Sequence, residues 1–280
     1  MLSRLIHISR PVLWINAIGP AVIALWLSGT LFDLKVLPLM IWLSLPFNLL
    51  IYGINDVFDI DTDAQNTRKG GIEGARISGE ERRSILIAVA ILNLPFVISL
   101  PLLYPIEAVF WMLAYALVFV AYSSPPLRLK ARPLLDSLSN AGYAFPLVFT
   151  SLALEQPVGW LAAIALMLWS MAKHSYDAIQ DISLDRSAGL TTTAVLLGVR
   201  GTLVWSGSLW LAASALFAAV NLPLTAANLI IAGFLIGALW RSPTELNANK
   251  LYPVSIAFPY VAGSVAGIQL CAAILLGGLT

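Results

Sequence analysis

Residues 84–122 read SILIAVAILNLPFVISLPLLYPIEAVFWMLAYALVFVAY, and Glu107 is the only charged residue among them. A helix of about 20 apolar residues is long enough to cross a lipid bilayer. The pair Tyr104-Pro105 interrupts the stretch near its middle, so we predict two membrane-spanning helices, 85–103 and 106–122. A transmembrane β-barrel would show alternating apolar and polar residues. Here the apolar residues are continuous, which favours helices.

The same pattern extends over the whole chain of 280 residues, of which 59% are hydrophobic and 11% charged. Soluble domains carry about a quarter charged residues, and the mean hydropathy of +0.85 agrees with a membrane protein. This composition excludes soluble enzymes, secreted disulfide-rich proteins, nucleic-acid binders and disordered proteins. A single cysteine, Cys271, excludes a disulfide within one chain. We predict an all-α polytopic membrane protein with one domain over residues 1–280.

Apolar windows between charged or Pro- and Gly-containing breaks predict nine transmembrane spans. The predicted spans are 12–31, 36–54, 85–103, 106–122, 134–152, 157–176, 202–220, 224–240 and 254–277. With nine spans, every one of the 16 Lys and Arg residues except Lys35 lies on the same side as the N-terminus. Positive residues concentrate on the cytoplasmic side of membrane proteins. We therefore predict a multi-pass protein of the cell membrane with its N-terminus in the cytoplasm and its C-terminus outside.

Two long polar loops, about 55–84 and 177–201, lie on that cytoplasmic side and contain most of the aspartates. Seven of the nine aspartates fall into two groups: Asp56, Asp59, Asp61 and Asp63, and then Asp177, Asp181 and Asp185. Spacings of three and four residues place side chains on one face of a helix. Each group is therefore expected to line one helix face, with Asp61 pointing elsewhere, and both groups lie at cytoplasmic helix ends that can face each other.

Like charges at this spacing repel each other, so a cation is expected opposite each group. Carboxylates are hard oxygen ligands that suit Mg²⁺ or Ca²⁺, and Mg²⁺ is typically shared between one or two carboxylates and substrate phosphates. The alternative is that these residues are ordinary loop acids that cap helices or pair with Arg68, Lys69 and Arg186. The coincidence of two such groups on one side of a charge-poor chain favours the metal site.

Three segments resemble motifs of the UbiA-type intramembrane prenyltransferases. The segment 55–63, NDVFDIDTD, is similar to their first aspartate motif, and 177–186, DAIQDISLDR, with the Gly189, Thr192 and Gly198 that follow it, is similar to their second. The segment 122–130, YSSPPLRLK, is similar to the loop after their fourth helix. The second segment departs from the commonest family pattern at Ala178, where an Asp is frequent. The resemblance implies about nine helices around a central apolar cavity.

The resemblance also implies a mechanism, in which two Mg²⁺ ions and basic residues hold a prenyl diphosphate and stabilise the departing pyrophosphate. The implied metal ligands are Asn55, Asp56, Asp59 and Asp63 for one ion, and Asp177, Asp181 and Asp185 for the other. The implied diphosphate clamps are Arg68, Lys69, Arg128 and Lys130. Among all of these, Asp59, Asp181 and Lys130 are the expected catalytic residues. The basic clamps also have a simpler interpretation, because a cytoplasmic loop is rich in Lys and Arg without any substrate.

Four further residues are weaker candidates for contacts with substrate. Asn16 can reach a phosphate or a metal-bound water, or can form a hydrogen bond between helices. Tyr122 can place its ring beside a carbocation, or can belong to the aromatic belt at the membrane interface. Lys173 is a cation within a predicted helix end, and His174 beside it is a possible proton acceptor or an ordinary interfacial histidine.

Within the family, the segments 66–75, NTRKGGIEGA, 176–181, YDAIQD, and 191–194, TTTA, look most like lycopene elongases of C50-carotenoid synthesis. This resemblance implies dimethylallyl diphosphate as the donor and lycopene, or a related carotenoid, as the membrane-soluble acceptor. The expected partners are thus a prenyl diphosphate, a hydrophobic acceptor and membrane lipids, with no nucleic acid. The alternatives are a 4-hydroxybenzoate-type quinone-precursor prenyltransferase, an ether-lipid prenyltransferase and, outside enzymes, a cation transporter.

Overall fold

The structure is a computed structural model, and it describes residues 2–60, 70 and 74–276. All regular secondary structure of these residues is helical, which confirms the predicted all-α class. The chain divides into two compact units, the first comprising Met1–Leu129 and Phe145–Val158 and the second Lys130–Ala144 and Gly159–Thr280. The single domain over residues 1–280 stays a prediction.

The helices are numbered in chain order over both units. They are α1 (Leu2–Ile8), α2 (Ile15–Leu27), α3 (Leu37–Leu43), α4 (Leu45–Phe58), α5 (Glu81–Leu103), α6 (Ile106–Ser123), α7 (Leu135–Ser139), α8 (Phe145–Ala153), α9 (Trp160–Asp177), α10 (Ile182–Ser187), α11 (Thr193–Ala218), α12 (Leu222–Arg241) and α13 (Glu245–Leu275). Short 3₁₀ turns occur at Pro11–Leu13, Leu34–Val36, Leu129–Ala131, Asn140–Ala144 and Ala178–Asp181.

The core of the first unit is built on α4, which packs against α5 and α6, while α8 packs against α2 and α6. Phe47 of α4 stacks on Tyr115 of α6 with ring centroids 4.2 Å apart and meets the edge of Trp42 at 4.8 Å. Asn93 of α5 accepts a hydrogen bond from Trp42 Nε1 (3.1 Å) and donates to the carbonyl of Pro46 (2.8 Å). These contacts hold α4, and therefore its polar C-terminal end, in one position.

The second unit has a core of the same kind, in which α9 packs against α11, α11 against α12, and α12 against α13. Asn228 of α12 accepts a hydrogen bond from Trp169 Nε1 (2.9 Å) and donates to Ser214 Oγ (2.7 Å). Phe258 of α13 meets Trp169 edge-on with centroids 5.1 Å apart. Polar groups inside a membrane must find partners within the protein because water is absent, and these asparagine and tryptophan side chains do so.

The structure confirms a polytopic membrane fold but does not confirm nine spans. Within the described residues, six helices are long and apolar enough to cross a membrane, or seven if the pair Leu2–Ile8 and Pro11–Leu27, bent by 45°, is one span. The predicted split between 103 and 106 is confirmed, since α5 ends at Leu103 and α6 begins at Ile106.

Two of the predicted spans explain much of the difference in number. The predicted span 134–152 consists of two short helices, α7 and α8, separated by the 3₁₀ turn Asn140–Ala144. The predicted span 157–176 corresponds to α9, whose last turns contain Lys173 and His174 and lower its hydropathy. A count of apolar windows cannot detect a backbone break within a window, and for that reason it does not separate such segments from continuous spans.

Candidate active site

The first aspartate group lies where α4 ends. Asp56, in the last turn of α4, is completely buried, with 0% of its surface exposed. Its Oδ1 accepts a hydrogen bond from Arg10 Nη2 at 2.7 Å, and the two form an ion pair. The Arg10 guanidinium also lies over the ring of Tyr52, one turn earlier in α4, at 4.6 Å from its centroid. The buried carboxylate is thus compensated by a cation from the bend between α1 and α2.

Gly74 provides the space that Arg10 occupies. A Cβ atom at Gly74 would lie 2.5 Å from Arg10 Nε and 2.8 Å from Nη2, which is closer than real contacts allow. Gly74 also has a φ of +98°, a conformation that L side chains rarely adopt. Glycine is therefore required here both for the backbone conformation and for the position of the guanidinium against Asp56.

Asp59 and Asn55 lie beside Asp56 but have different partners. The C-cap residue of α4 is Asp59, and its Oδ1 lies 3.5 Å from Nη2 of Arg128, in the segment after α6. Asn55 Nδ2 donates to Ser123 Oγ at 3.2 Å, at the end of α6. The structure thus brings together four of the predicted site residues: Asn55, Asp56, Asp59 and Arg128. Asp61, Asp63, Arg68 and Lys69 lie outside the described residues.

The second aspartate group does not lie on one continuous helix. Helix α9 ends at Asp177, a 3₁₀ turn follows over Ala178–Asp181, and α10 begins at Ile182. The expectation that this group lines one helix face is therefore wrong. In the first group, α4 also ends at Phe58, so Asp59 is not part of the helix that contains Asp56. A spacing of four residues indicates a shared helix face only while the helix continues.

Asp177 is engaged by two side chains of its own unit. Its Oδ2 accepts a hydrogen bond from Lys173 Nζ at 2.6 Å, one turn earlier in α9. Its Oδ1 accepts a hydrogen bond from the hydroxyl of Ser255 in α13. Lys173, which the sequence suggested as a substrate contact, is therefore an ion-pair partner of Asp177.

Asp185 of α10 is the carboxyl with the clearest electrostatic signature. The pKa of Asp185 is raised to about 7: burial is the main cause and the charges of Asp181 and Asp136 add to it, while a hydrogen bond from Thr192 and the charge of Lys130 partly oppose the rise. Thr192 Oγ1 donates to Asp185 Oδ2 at 3.4 Å. Two carboxyl groups and a lysine ammonium therefore act on one another here, and a bound cation would favour the ionised form of Asp185.

The loop that carries Lys130 is fixed to the start of α11. Lys130 is only 8% exposed, although a lysine is rarely buried without a reason. Four residues further on, the Leu134 backbone N–H donates to Thr193 Oγ1 at 2.7 Å. The buried Asp136 accepts hydrogen bonds from the Thr193 backbone N–H (2.8 Å) and from the Thr193 hydroxyl. Thr193 thus links the Lys130 loop to the helix that follows the second aspartate group.

The weaker candidates from the sequence are divided between the two units. Asn16 is half-buried in α2, and Tyr122 is half-buried in the last turns of α6, both in the first unit. His174 lies in α9 next to Lys173, in the second unit. Substrate contacts of Asn16 and Tyr122 stay predictions.

The described residues contain no group of three or more His, Cys, Asp or Glu side chains that could hold a metal ion by themselves. Asp63 lies outside those residues. The donor set nevertheless fits Mg²⁺ rather than a transition metal, because the carboxylates and the Asn55 amide offer hard oxygen atoms. Magnesium commonly completes its coordination with waters and substrate phosphates, so two or fewer carboxylates per ion suffice.

Two functional contacts were not predicted from the sequence. In the sequence, Arg10 was only one of the basic residues on the predicted cytoplasmic side. In the structure it contacts Asp56, which lies 46 positions later. Asp136 was one of the two aspartates outside the groups, and its partner Thr193 follows 57 positions later. The burial of a charged residue is the signal that identifies both, and that signal exists only in the folded chain.

The chain is similar in sequence and in fold to known proteins. Residues 17–258 match the UbiA prenyltransferase family. A lycopene elongase/hydratase of Corynebacterium glutamicum is 32% identical over 94% of this chain and 95% of that protein. A C(50) beta-cyclic carotenoids biosynthesis protein of a Dietzia species is 38% identical over 81% of this chain, which spans only about half (52%) of that longer protein. A UbiA homolog from Archaeoglobus fulgidus, solved with DMAPP and Mg²⁺, has the same fold, with a TM-score of 0.71 and 21% identity over 94% of this chain and 99% of that one.

Proposed function

This chain belongs to the UbiA prenyltransferase family and is a membrane prenyltransferase, and we propose that it transfers the C5 unit of dimethylallyl diphosphate to lycopene in a reaction that needs Mg²⁺. The observation that most directly supports the diphosphate site is a lysine, Lys130, that is only 8% exposed and lies close enough to the half-buried Asp185 for the two charges to interact. The similarity to proteins named lycopene elongase/hydratase supports the choice of acceptor. Family membership removes the cation transporter from the alternatives.

The two aspartate motifs supply the ligands for the metal. We assign Asn55, Asp56, Asp59 and Asp63 to one Mg²⁺ ion, and Asp181 and Asp185 to a second. When bound, Mg²⁺ would neutralise diphosphate charge and so stabilise the pyrophosphate that leaves. The protein related in fold that was solved with DMAPP and Mg²⁺ supports the use of Mg²⁺ with a prenyl diphosphate.

The residues of the chain have two tasks in this reaction. Lys130 and Arg128, with Arg68 and Lys69, hold the phosphate oxygens and stabilise the negative charge that grows as the C–O bond breaks. The apolar helices keep water away from the allylic cation, which water would otherwise hydrolyse. The acceptor then attacks the cation through a carbon–carbon double bond, and either loss of a proton or addition of water completes the product.

An aromatic acid such as 4-hydroxybenzoate is the main alternative acceptor, and Lys173 is the candidate residue to bind its carboxylate. Such an acceptor carries a carboxylate and favours a cationic anchor, for which the sequence offered Lys173 within the helices. In the structure Lys173 forms an ion pair with Asp177 at 2.6 Å. An acceptor without charge is therefore favoured.

We expect membranes that contain the protein to convert lycopene, with dimethylallyl diphosphate, into C45 and C50 products. The assay supplies lycopene or 4-hydroxybenzoate, each with donors of five, ten and twenty carbons, and resolves the products by chromatography and mass. Membranes from cells that lack the protein are the control. Transfer of long donors to 4-hydroxybenzoate, with lycopene unchanged, would assign the chain to quinone biosynthesis instead.

The distribution of basic residues leads to a separate proposal on orientation, with the N-terminus and both aspartate motifs in the cytoplasm and the C-terminus outside. A phosphatase that is active only when exported is expected to be active after residue 280 and inactive after residue 71. A reporter that fluoresces only in the cytoplasm, fused at the same two positions, is the control and must give the reverse. If the phosphatase is active after residue 71, the orientation is wrong.

A further inference from the structure

The second aspartate motif presents two different faces because of its 3₁₀ turn. In a 3₁₀ helix, side chains three residues apart point in the same direction. The turn Ala178–Asp181 therefore brings Gln180 into line with Asp177 before it and Ser183 after it. Asp181 and Asp185 are not members of this row, and they act electrostatically on each other and with Lys130.

Helix α13 binds every member of that row. Ser255 donates its hydroxyl to Asp177 Oδ1, and Asn249 Nδ2 donates to Gln180 Oε1 at 2.9 Å. Glu245 accepts two hydrogen bonds from Ser183, one from the backbone N–H (3.0 Å) and one from the hydroxyl (2.6 Å).

The order of these contacts shows that the two segments run antiparallel. From Asp177 to Ser183 along the motif, the partners on α13 run backward from Ser255 to Glu245. All three contacts join residues more than 60 positions apart in the sequence, at separations of 78, 69 and 62. The motif is therefore held from Asp177 to Ser183 by a helix that contributes no aspartate to it.

Asp177 has little capacity left for a metal in this arrangement. Its two carboxylate oxygens bind Lys173 and Ser255, and Ser255 is completely buried. A divalent ion bound to this carboxylate would add a positive charge next to the Lys173 ammonium, whose Nζ already lies 2.6 Å from Asp177 Oδ2, and the two cations would repel each other. The neighbouring residue, Ala178, packs against the apolar core of the second unit and offers no side-chain oxygen in its place.

We propose that Asp177 is an anchor and not a metal ligand, and that α13 positions Asp181 and Asp185 through its contacts with Asp177, Gln180 and Ser183. Ser255, Asn249 and Glu245 are then positioning residues for the transfer reaction. This inference rests on the proposed function, in which Asp181 and Asp185 bind Mg²⁺.

The ligand question is tested with Asp177→Asn and Asp181→Asn in the full chain, purified in detergent. Binding of Mn²⁺, as a spectroscopic substitute for Mg²⁺, is measured by electron paramagnetic resonance with dimethylallyl thiolodiphosphate, a donor analogue that reacts poorly. We expect Asp177→Asn to bind Mn²⁺ within about twofold of the wild-type affinity, because the amide oxygen of Asn can still accept the hydrogen bond from Ser255. The variant should melt at a lower temperature, because Lys173 loses its ion-pair partner. Asp181→Asn is expected to weaken Mn²⁺ binding more than tenfold and to melt like the wild type.

Equal weakening of Mn²⁺ binding by both variants would make Asp177 a ligand and overturn the inference. If the wild type itself binds no Mn²⁺ in the presence of the analogue, the proposed function fails first. The two failures are therefore distinguishable in one experiment.

The positioning role is tested with Ser255→Ala, Ser255→Thr and the matched control Ser264→Ala, which removes a hydroxyl that bonds only within α13. We expect Ser255→Ala to lower kcat about tenfold with an unchanged KM for the donor, and Ser255→Thr to restore most of it because the hydroxyl returns. The double variant Ser255→Ala with Asp177→Ala should be no worse than the more damaging single variant, because each substitution removes the contact between Ser255 and Asp177. Additive losses, or a Ser255→Ala activity equal to that of Ser264→Ala, would overturn the positioning role.

Discussion

We expect Asp59→Ala and Asp181→Ala each to lower the rate of prenyl transfer by more than about 100-fold, while the protein stays folded. Stabilisation of a departing phosphate group by charge accounts for losses of this size when one member of the arrangement is removed. Both carboxylates are partly exposed, so their removal leaves no fully buried charge without a partner. Arg128, the partner of Asp59, is one-third exposed and can be solvated by water, and the fold is therefore expected to survive. Measurement of product by mass, with thermal unfolding in detergent as the test of folding, checks both statements.

Asp33→Ala is the matched control for these two variants. Asp33 also lies in a connecting segment, where its carboxylate accepts a hydrogen bond from the Lys35 backbone N–H at 2.9 Å, but it belongs to neither motif. We expect it to keep wild-type activity. A chelator should abolish the wild-type activity, and added Mg²⁺ should restore it. Near-normal turnover in the chelator, or in either motif variant, would contradict the metal assignment.

Arg10→Met should have the largest effect on stability of any substitution considered. Removal of one partner of a buried ion pair leaves the other charge without compensation and costs about 3–5 kcal/mol. Asp56 is completely buried and Arg10 is only 14% exposed, so this pair is of the buried kind. We expect a clear fall in the melting temperature in detergent and, because Asp56 belongs to the first motif, a loss of activity as well.

Arg4→Met is the matched control, with the same replacement in the same N-terminal segment. Arg4 pairs with Glu81 at 2.9 Å, but the two side chains are 39% and 36% exposed. Exposed ion pairs contribute about 0–1 kcal/mol, so the fall in melting temperature should be several times smaller. Similar falls for the two variants would mean that the Arg10–Asp56 pair has no special structural role.

The fold class, and the segments that carry the candidate site, could be predicted because both depend on local composition. Apolar stretches such as 84–122 indicate helices whatever their neighbours are, and aspartates are conspicuous in a chain with 11% charged residues. The ends of α5 and α6 could be predicted because Pro105 and the charged loops interrupt the apolar pattern. Lys130 was expected at the site, and the structure places it where its charge acts on Asp185.

Other features could not be predicted because they depend on where the backbone changes direction. The turn Ala178–Asp181 is 3₁₀ and not α-helical, and it gives Asp177 and Asp181 different surroundings in spite of their helical spacing. Contacts such as Arg10 with Asp56, and Asp136 with Thr193, join residues that no local pattern relates. The predicted number of spans is not confirmed for a similar reason, since the break between α7 and α8 leaves no mark in the hydropathy.

The return of the chain to the first unit has a consequence for biosynthesis. Helix α2 packs against α8, yet α8 belongs to a segment that follows the first residues of the second unit. A ribosome must therefore synthesise residues 130–144 before it delivers the helix that α2 needs as a neighbour. Until then α2 has to be shielded by lipid or by the insertion machinery, and a fragment that ends at Leu129 would keep it in that unfinished state.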